Sequence, residues 1–217
     1  MGQPNVTSPA ARLLLLLALT AAAGSALSGC GGAGATKSTT SAAVVDPASR
    51  FVGSEQMLQT PPDFVLRDQD GRLVRLSAER GKFVLVTFLY TQCPDVCPLI
   101  AANLNGALRK LGKARASVRV LAVSVDPRGD TRSAVRRYVK THRLLPEFRY
   151  LTGSRDRLKG VWRAYHVAVV ARKPEFVDHV AYVLLIDRTG KTRLLYDSLV
   201  TTRDILHDLR LLQGTER

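Results

Sequence analysis

The sequence contains few cysteines and no apolar run long enough to cross a membrane. Three cysteines occur in 217 residues, too few for the disulfide framework of a small secreted scaffold. The apolar run at residues 13–23 has about eleven residues, whereas a bilayer-spanning helix needs about 20. No internal repeat is visible. The length suits one domain of about 150 residues with a targeting segment and a tail.

Acidic side chains are also scarce, with 18 Asp and Glu against 32 Lys and Arg, which gives a formal net charge of +14. The basic residues are spread along the chain. One of the densest groups, residues 132–140, contains a single aromatic residue, Tyr138. Binding to single-stranded nucleic acid usually needs aromatic side chains among the basic ones, so we expect no nucleic-acid partner. A weak attraction to anionic lipid or to an acidic protein fits the charge better.

The first 29 residues are typical of a bacterial lipoprotein signal peptide. Arg12 precedes the short apolar run, and residues 27–30 (Leu-Ser-Gly-Cys) resemble a lipobox, in which the cysteine becomes lipid-modified. We therefore expect Cys30 to be lipidated and to anchor the protein on the extracytoplasmic face of the bacterial cell membrane. An ordinary cleaved signal and an uncleaved anchor are the alternatives.

Residues 30–58 are rich in Gly, Ala, Ser and Thr and cannot bury enough apolar surface to fold. They are predicted to form a flexible tether, followed by one folded domain over residues 59–217.

Within that domain, strands and helices are predicted to alternate. Asp70-Gly71 indicates a β-hairpin turn, and two nearly continuous apolar stretches, residues 82–90 and 117–125, indicate strands buried on both faces. Helices are predicted over 99–111, 132–142 and 154–165 and at the C-terminus, with a polar break at 171–176. The order favours an α/β fold with a mixed central sheet flanked by helices and an N-terminal β-hairpin extension.

Cys93 and Cys97 lie where the first long strand turns into a helix. A helix N-terminus stabilises a thiolate, and the spacing of four places both sulfurs on one side of the first turn. The two thiols are therefore predicted to form a redox-active disulfide or to bind one metal ion. Two buried structural cysteines are the alternative.

Three segments resemble the Sco/SenC family of copper chaperones. They are residues 88–98 with their Cys-Pro-Asp-x-Cys-Pro run, residues 123–127 with Asp130, and residues 177–179 leading into 182–187. The resemblance covers roughly residues 60–212 and implies a thioredoxin-like fold. It also implies delivery of copper to the dinuclear copper centre of cytochrome c oxidase subunit II, or reduction of that centre's cysteines.

The same resemblance implies that Cys93, Cys97 and His179 bind copper and that Asp126 supports the site. The sequence departs from the family at Val180, where a small hydroxyl residue is common. Two thiolates and an imidazole suit Cu(I), and Cu(II) with a further weak ligand, whereas structural zinc usually takes four protein ligands.

Other interpretations use the same residues differently. The protein could be a thiol-disulfide oxidoreductase in which Cys93 attacks a disulfide of another copper or thiol protein, or a copper- or redox-sensing module. A peroxidase is not favoured, because no Thr-x-x-Cys arrangement with a helper arginine is evident in the sequence.

His166 is a weaker ligand candidate than His179, and His142 and His207 are expected on helix surfaces. The aromatic residues expected in the core are Phe148, Trp162 and Tyr165.

Overall fold

The computed structural model describes residues 51–57, 59–173 and 176–215. The predicted signal peptide, Cys30 and the predicted tether up to residue 50 lie outside these residues. Among the described residues, no helix is long and apolar enough to cross a membrane.

A six-stranded mixed sheet forms the centre of the domain, with the strand order β1-β10-β9-β4-β5-β6. The central β4 (Phe83–Leu89) pairs in parallel with β5 (Val118–Ser124) and antiparallel with β9 (Val183–Ile186). All seven residues of β4 are buried, as its continuous apolar sequence predicted. The outer strands are β1 (Ser54–Glu55), β6 (Phe148–Leu151) and β10 (Thr192–Tyr196).

Four helices flank this sheet: α1 (Val96–Leu111), α2 (Arg132–Thr141), α3 (Arg155–Ala164) and α4 (Thr202–Thr215). Thr131 and Ser154 cap α2 and α3 by accepting hydrogen bonds from Ala134 N and Arg157 N. Helix α1 begins three residues before the predicted start at Leu99 and therefore includes Cys97. Pro98 does not prevent this, because a first-turn residue has no intrahelical partner for its N–H.

Two small antiparallel hairpins lie outside the central sheet. The predicted N-terminal hairpin is confirmed as β2 (Val65–Arg67) and β3 (Leu73–Arg75). The second hairpin joins β7 (Val169–Lys173) to β8 (Phe176–His179). The prediction of a polar break at 171–176 was wrong. Most of this segment pairs across the hairpin as β-strand, although its composition is typical of a loop. This hairpin ends at His179.

The fold begins before residue 59, inside the segment predicted to be a tether. The buried carboxylate of Asp208 on α4 accepts 2.9 Å hydrogen bonds from the backbone N–H groups of Val52 and Gly53 and a 2.8 Å bond from the Tyr196 hydroxyl. These bonds hold the N-terminal segment against β10, with which β1 pairs. A polar strand of two residues has no apolar pattern by which the sequence could reveal it.

Candidate metal centre

The two cysteines lie at the junction of β4 and α1, as predicted. Cys93 is half-buried in the connecting loop, whereas Cys97 is completely buried in the first turn of α1. Both are free thiols. The backbone N–H of Cys97 points at Sγ of Cys93 across 3.4 Å, so the loop folds back over the helix start.

The two thiols differ in acidity because they share one proton between them. The pKa of Cys93 falls to about 6, chiefly because the Cys97 thiol donates a hydrogen bond to the Cys93 sulfur. Burial raises this pKa, whereas hydrogen bonds from the backbone N–H groups of Asp95 and Cys97 lower it further. The pKa of Cys97 is raised, because its proton is held by Cys93 and because burial disfavours a charge. At neutral pH the site therefore presents one thiolate and one buried thiol.

His179 lies at the end of β8, close to the buried cysteine. Its Nε2 is 3.9 Å from Sγ of Cys97, and its Nδ1 is 3.2 Å from the carbonyl oxygen of Val180. A carbonyl can only accept, so the second contact is a hydrogen bond when Nδ1 carries the proton, which leaves the Nε2 lone pair towards the cysteine. The ring also meets the edge of Tyr90, with centroids 6.0 Å apart. The backbone of Val180 thus orients the imidazole, although its side chain has no hydroxyl.

The distances suit a metal bound by sulfur and nitrogen. Two such donors at about 2.0–2.3 Å from one ion lie about 3.5–3.8 Å apart, close to the 3.9 Å between Cys97 and His179. In the described part of the chain, no three His, Cys, Asp or Glu side chains already stand together in a metal-binding cluster. Cys97 instead contacts each of the other two candidates, so a bound ion would have to draw Cys93 and His179 together around it.

A buried carboxylate, Asp130, secures the loop that carries the cysteines. It accepts hydrogen bonds from Thr91 N at 2.7 Å, from the Ser124 hydroxyl at 2.6 Å and from the Tyr150 hydroxyl at 3.0 Å. Burial raises the pKa of Asp130, and its charge contributes to the raised pKa of Cys97. Asp130 belongs to one of the segments that resemble the Sco/SenC family, but its buried position could not be read from the sequence.

Asp126 occupies the loop after β5. Its carboxylate accepts a 3.1 Å hydrogen bond from Arg128 N and packs so closely on Gly129 that a Cβ there would lie 2.1 Å from Oδ2. These contacts shape the loop, and a supporting role of Asp126 at the metal centre stays a prediction.

Two of the remaining histidines have side-chain partners elsewhere. His142 packs on the Tyr138 ring with centroids 4.2 Å apart, and His207 Nδ1 lies 2.8 Å from Asp208 Oδ1. His166 follows α3 in a left-handed conformation with φ of 55°.

The prediction that Phe148, Trp162 and Tyr165 lie in the core is confirmed, since all three are buried.

Comparisons with known proteins agree with this architecture. A family profile described as SCO1/SenC matches residues 52–213. The mitochondrial SCO2 homologue of Bos taurus is 33% identical over 156 residues, which cover 68% of this chain and 58% of the bovine protein.

Two solved structures share the fold. ScoI of Bradyrhizobium japonicum with copper bound superposes with a TM-score of 0.63 at 29% identity and covers 70% of this chain and 98% of that one. BsSco is described as having a disulfide switch and as a member of the Sco family of cytochrome c oxidase assembly proteins. Its TM-score is 0.59 at 25% identity, over 72% of this chain and 98% of BsSco. The mixed sheet is therefore thioredoxin-like, as predicted, and the chain belongs to the SCO1/SenC family.

Proposed function

We propose that this protein is a membrane-anchored metallochaperone that delivers copper to the dinuclear copper centre of cytochrome c oxidase subunit II. The observation that carries the proposal is the 3.9 Å approach of His179 Nε2 to Cys97 Sγ, beside a second thiol of low pKa. The copper-bound ScoI structure and the description of BsSco as an oxidase assembly protein support it.

The chemistry of the three donors suits copper as a cargo. Thiolate sulfur and imidazole nitrogen are soft to intermediate ligands that favour Cu(I), and Cu(II) with an additional weak ligand. Cys93 offers a thiolate at the surface, whereas Cys97 must lose its proton when the metal binds. A half-exposed ligand also gives an acceptor thiol a place to begin exchange.

The decisive experiment is a copper titration of residues 31–217, which omit the expected signal peptide and lipidated cysteine. Anaerobic Cu(I) binding, and Cu(II) binding followed by absorption and electron paramagnetic resonance, should show one copper per chain. His179→Ala should weaken binding by more than the roughly 10–100-fold that loss of an outer-shell partner costs. His142→Ala, which removes a histidine packed on Tyr138, is the matched control. Unchanged affinity and an unchanged thiolate-to-Cu(II) band in His179→Ala would rule the proposal out.

Delivery can be tested separately from binding. Copper-loaded protein mixed with the metal-free soluble domain of subunit II should generate the absorption of the dinuclear centre. Free copper at the same total concentration is the control. Retention of copper by the donor would show that this acceptor is not the target.

The proposed location rests on Cys30. A Cys30→Ala variant should lose the lipid modification, detectable by mass spectrometry, and should leave the membrane fraction if the modification is the anchor. Persistence of the variant in salt-washed membranes would point instead to an uncleaved N-terminal segment.

A thiol-disulfide oxidoreductase is the second candidate function, favoured by the low pKa of Cys93 beside a second free thiol. The Cys93 thiolate would attack a target disulfide, and Cys97 would then attack the mixed disulfide. The target gains two electrons and two protons, one from the Cys97 thiol and one from solvent, and the protein is left with a Cys93–Cys97 disulfide. Copper-independent turnover on a disulfide substrate, lost in Cys97→Ser, would establish this activity.

A further inference from the structure

A basic cleft lies between the tip of the β2–β3 hairpin, helix α2 and the start of β6. Its volume of about 380 Å³ is within the range of pockets that bind ligands. Five cationic side chains from different parts of the chain line it: Arg72, Arg136, Lys140, Arg143 and Arg149. Among the described residues that line the cleft, Asp70 is the only carboxylate, so the lining carries an excess of positive charge.

The exposed cations of the cleft are poorly neutralised. Asp70 is shared by two guanidinium groups, at 3.9 Å from Arg72 and 3.4 Å from Arg136. Such long contacts between partly exposed groups stabilise little. Lys140 and Arg143 make no ion pair within the part of the chain that the structure describes. The cleft can therefore accept further negative charge.

Hydrogen bonds fix the hairpin side of the cleft. The carboxylate of Asp68 is buried and accepts 2.9 Å bonds from the backbone N–H groups of Asp70 and Arg72. The same carboxylate accepts a 2.6 Å bond from Arg149 Nη1, which ties the hairpin tip to β6. The backbone that carries Arg72 is thus held in place from below.

The loop between α2 and β6 is fixed on the other side. Asn105 of α1 donates from Nδ2 to the Arg143 carbonyl at 3.2 Å and accepts from the Leu145 N–H at 2.9 Å. Arg143 has φ of 49°, which is uncommon for a residue other than glycine and is maintained here by these bonds. A lining that is ordered before binding loses little conformational entropy when a ligand arrives.

Basic side chains also occur in the turns before β4 and before β5, but there they meet carboxylates of their own. Lys82 pairs with Glu79 at 2.7 Å, and Arg115 pairs with Glu147 at 3.1 Å. The net charge of the protein attracts anions to both regions. Unpaired cations around a preformed cleft distinguish the first region from the second.

The lining also restricts the kind of anion. Guanidinium groups bind carboxylates and phosphates through paired hydrogen bonds, and half-buried Val139, Leu144 and Leu145 form part of the wall. Insertion into a bilayer needs apolar groups that protrude, whereas these are recessed. Single-stranded nucleic acid usually stacks on aromatic side chains, and the lining has none. A protein segment with carboxylates and an apolar side chain suits both features of the cleft.

We propose that this cleft docks an acidic segment of a partner protein, in which Asp or Glu side chains pair with the cleft cations and an apolar side chain packs on Leu144. β4, β5 and β6 run parallel, Cys93 follows the end of β4, and Arg143 precedes the start of β6. A segment seated in the cleft therefore leaves Cys93 accessible. The inference goes beyond copper delivery and does not depend on it.

Nuclear magnetic resonance of nitrogen-15-labelled residues 31–217 tests the proposal with a defined probe. The probe is the peptide Glu-Asp-Leu-Glu-Asp-Glu, blocked at both ends and titrated at about 50 mM salt, where screening is modest. We expect saturable shifts at the amides of Arg72, Lys140 and Arg143, with a Kd below about 1 mM. The amides of Gly81 and Lys113 report on the other basic turns and should shift much less.

Two double variants with the same change in net charge separate the cleft from general attraction. Lys140→Glu with Arg143→Glu should weaken peptide binding by about tenfold or more. Arg203→Glu with Arg210→Glu changes two exposed residues of α4 and should weaken binding by less than about threefold. If the spectrum shows that the first variant is misfolded, Lys140→Gln with Arg143→Gln replaces it, and it should still weaken binding more than the α4 variant.

Several outcomes would overturn the proposal. Equal shifts in the other basic turns, or equal weakening in both variants, would show attraction by net charge alone. Inorganic phosphate that binds the cleft as tightly as the peptide would indicate a small-anion site. Vesicles of phosphatidylglycerol that broaden the cleft signals, with no shift from the peptide, would indicate a lipid site. No binding of the peptide at a concentration of about 5 mM would also overturn it. Copper binding by the same chain is measured separately, so failure of the metallochaperone proposal is recognised independently.

Discussion

Cys97 and His179 are 82 positions apart in the chain, yet Sγ of the first lies 3.9 Å from Nε2 of the second. The pairing of β4 with β9 produces this approach, because α1 continues from the end of β4 and the chain from His179 leads down into β9. The candidate metal centre thus lies where the chain leaves β4 and where it approaches β9.

The difference in acidity between the two thiols predicts a defined alkylation profile. The rate of Cys93 modification by iodoacetamide should rise with pH, with a midpoint near the pKa of about 6, and should be nearly constant above pH of about 7. Cys97 should react slowly throughout, because it is buried and its pKa is raised. Peptide mass spectrometry after timed quenching measures both rates.

Cys97→Ala provides the control for the cause of this shift. It removes the hydrogen bond that lowers the pKa of Cys93 most, so the midpoint should move towards the ordinary cysteine value of about 8.5. A midpoint that stays in place would assign the low pKa to the backbone N–H groups instead.

Asp130 is expected to matter more for stability than Asp126. Asp130→Ala leaves two buried donors and one partly buried donor without their acceptor and should lower the free energy of unfolding by about 3 kcal/mol. For a domain of this size, that corresponds to a fall in Tm of about 6–12 °C. Asp126→Ala loses the bond from Arg128 N and should cost about 1 kcal/mol. Calorimetry of the two variants compares them directly, and equal losses would contradict the assignment.

Asp208 should control the order of the N-terminal segment. Asp208→Ala removes the acceptor of the Val52 and Gly53 N–H groups, so hydrogen exchange at these two amides should accelerate markedly while exchange in β4 changes much less. Asp204→Ala on the same helix is the control, since Asp204 only bonds Thr201 at the exposed helix start. Unchanged protection of Gly53 in Asp208→Ala would show that β1 is held by its pairing with β10 alone.

Two glycines should respond in opposite directions to alanine. Gly53→Ala places a Cβ 2.7 Å from the Tyr196 ring and should destabilise the protein by about 1–3 kcal/mol. Gly160→Ala meets nothing within 4 Å and lies inside α3, so it should stabilise by about 0.5–1 kcal/mol. Urea unfolding followed by circular dichroism measures both, and a neutral Gly53→Ala would indicate that Tyr196 moves aside without cost.

The sequence predicted the parts of the fold that depend on buried area. β4 and β5 are nearly continuous apolar runs, and almost every residue of the two strands is buried. β1 was missed because both of its residues are exposed and polar, and the β7–β8 hairpin because its pairing compensates for a polar sequence.

The candidate site was predictable only in part. Cys93 and Cys97 followed from a local pattern, whereas the position of His179 came from family resemblance, because the register of β9 against β4 cannot be read from spacing. Asp126 and Asp130 lie in the same turn and are both buried, and the sequence does not show that Asp130 is the one that binds the backbone of Thr91.

The position of His179 just before β9 also sets the point during folding at which the proposed metal centre would be complete. A newly made chain that has formed β4, α1 and β5 already has both thiols but lacks the imidazole of His179, which lies in β8 and follows Cys97 by 82 residues. Until then a copper ion would find two sulfurs and no third donor from His179. In the proposed centre, tight binding would therefore wait until β9 joins the sheet, and a half-folded chain would compete poorly for the metal.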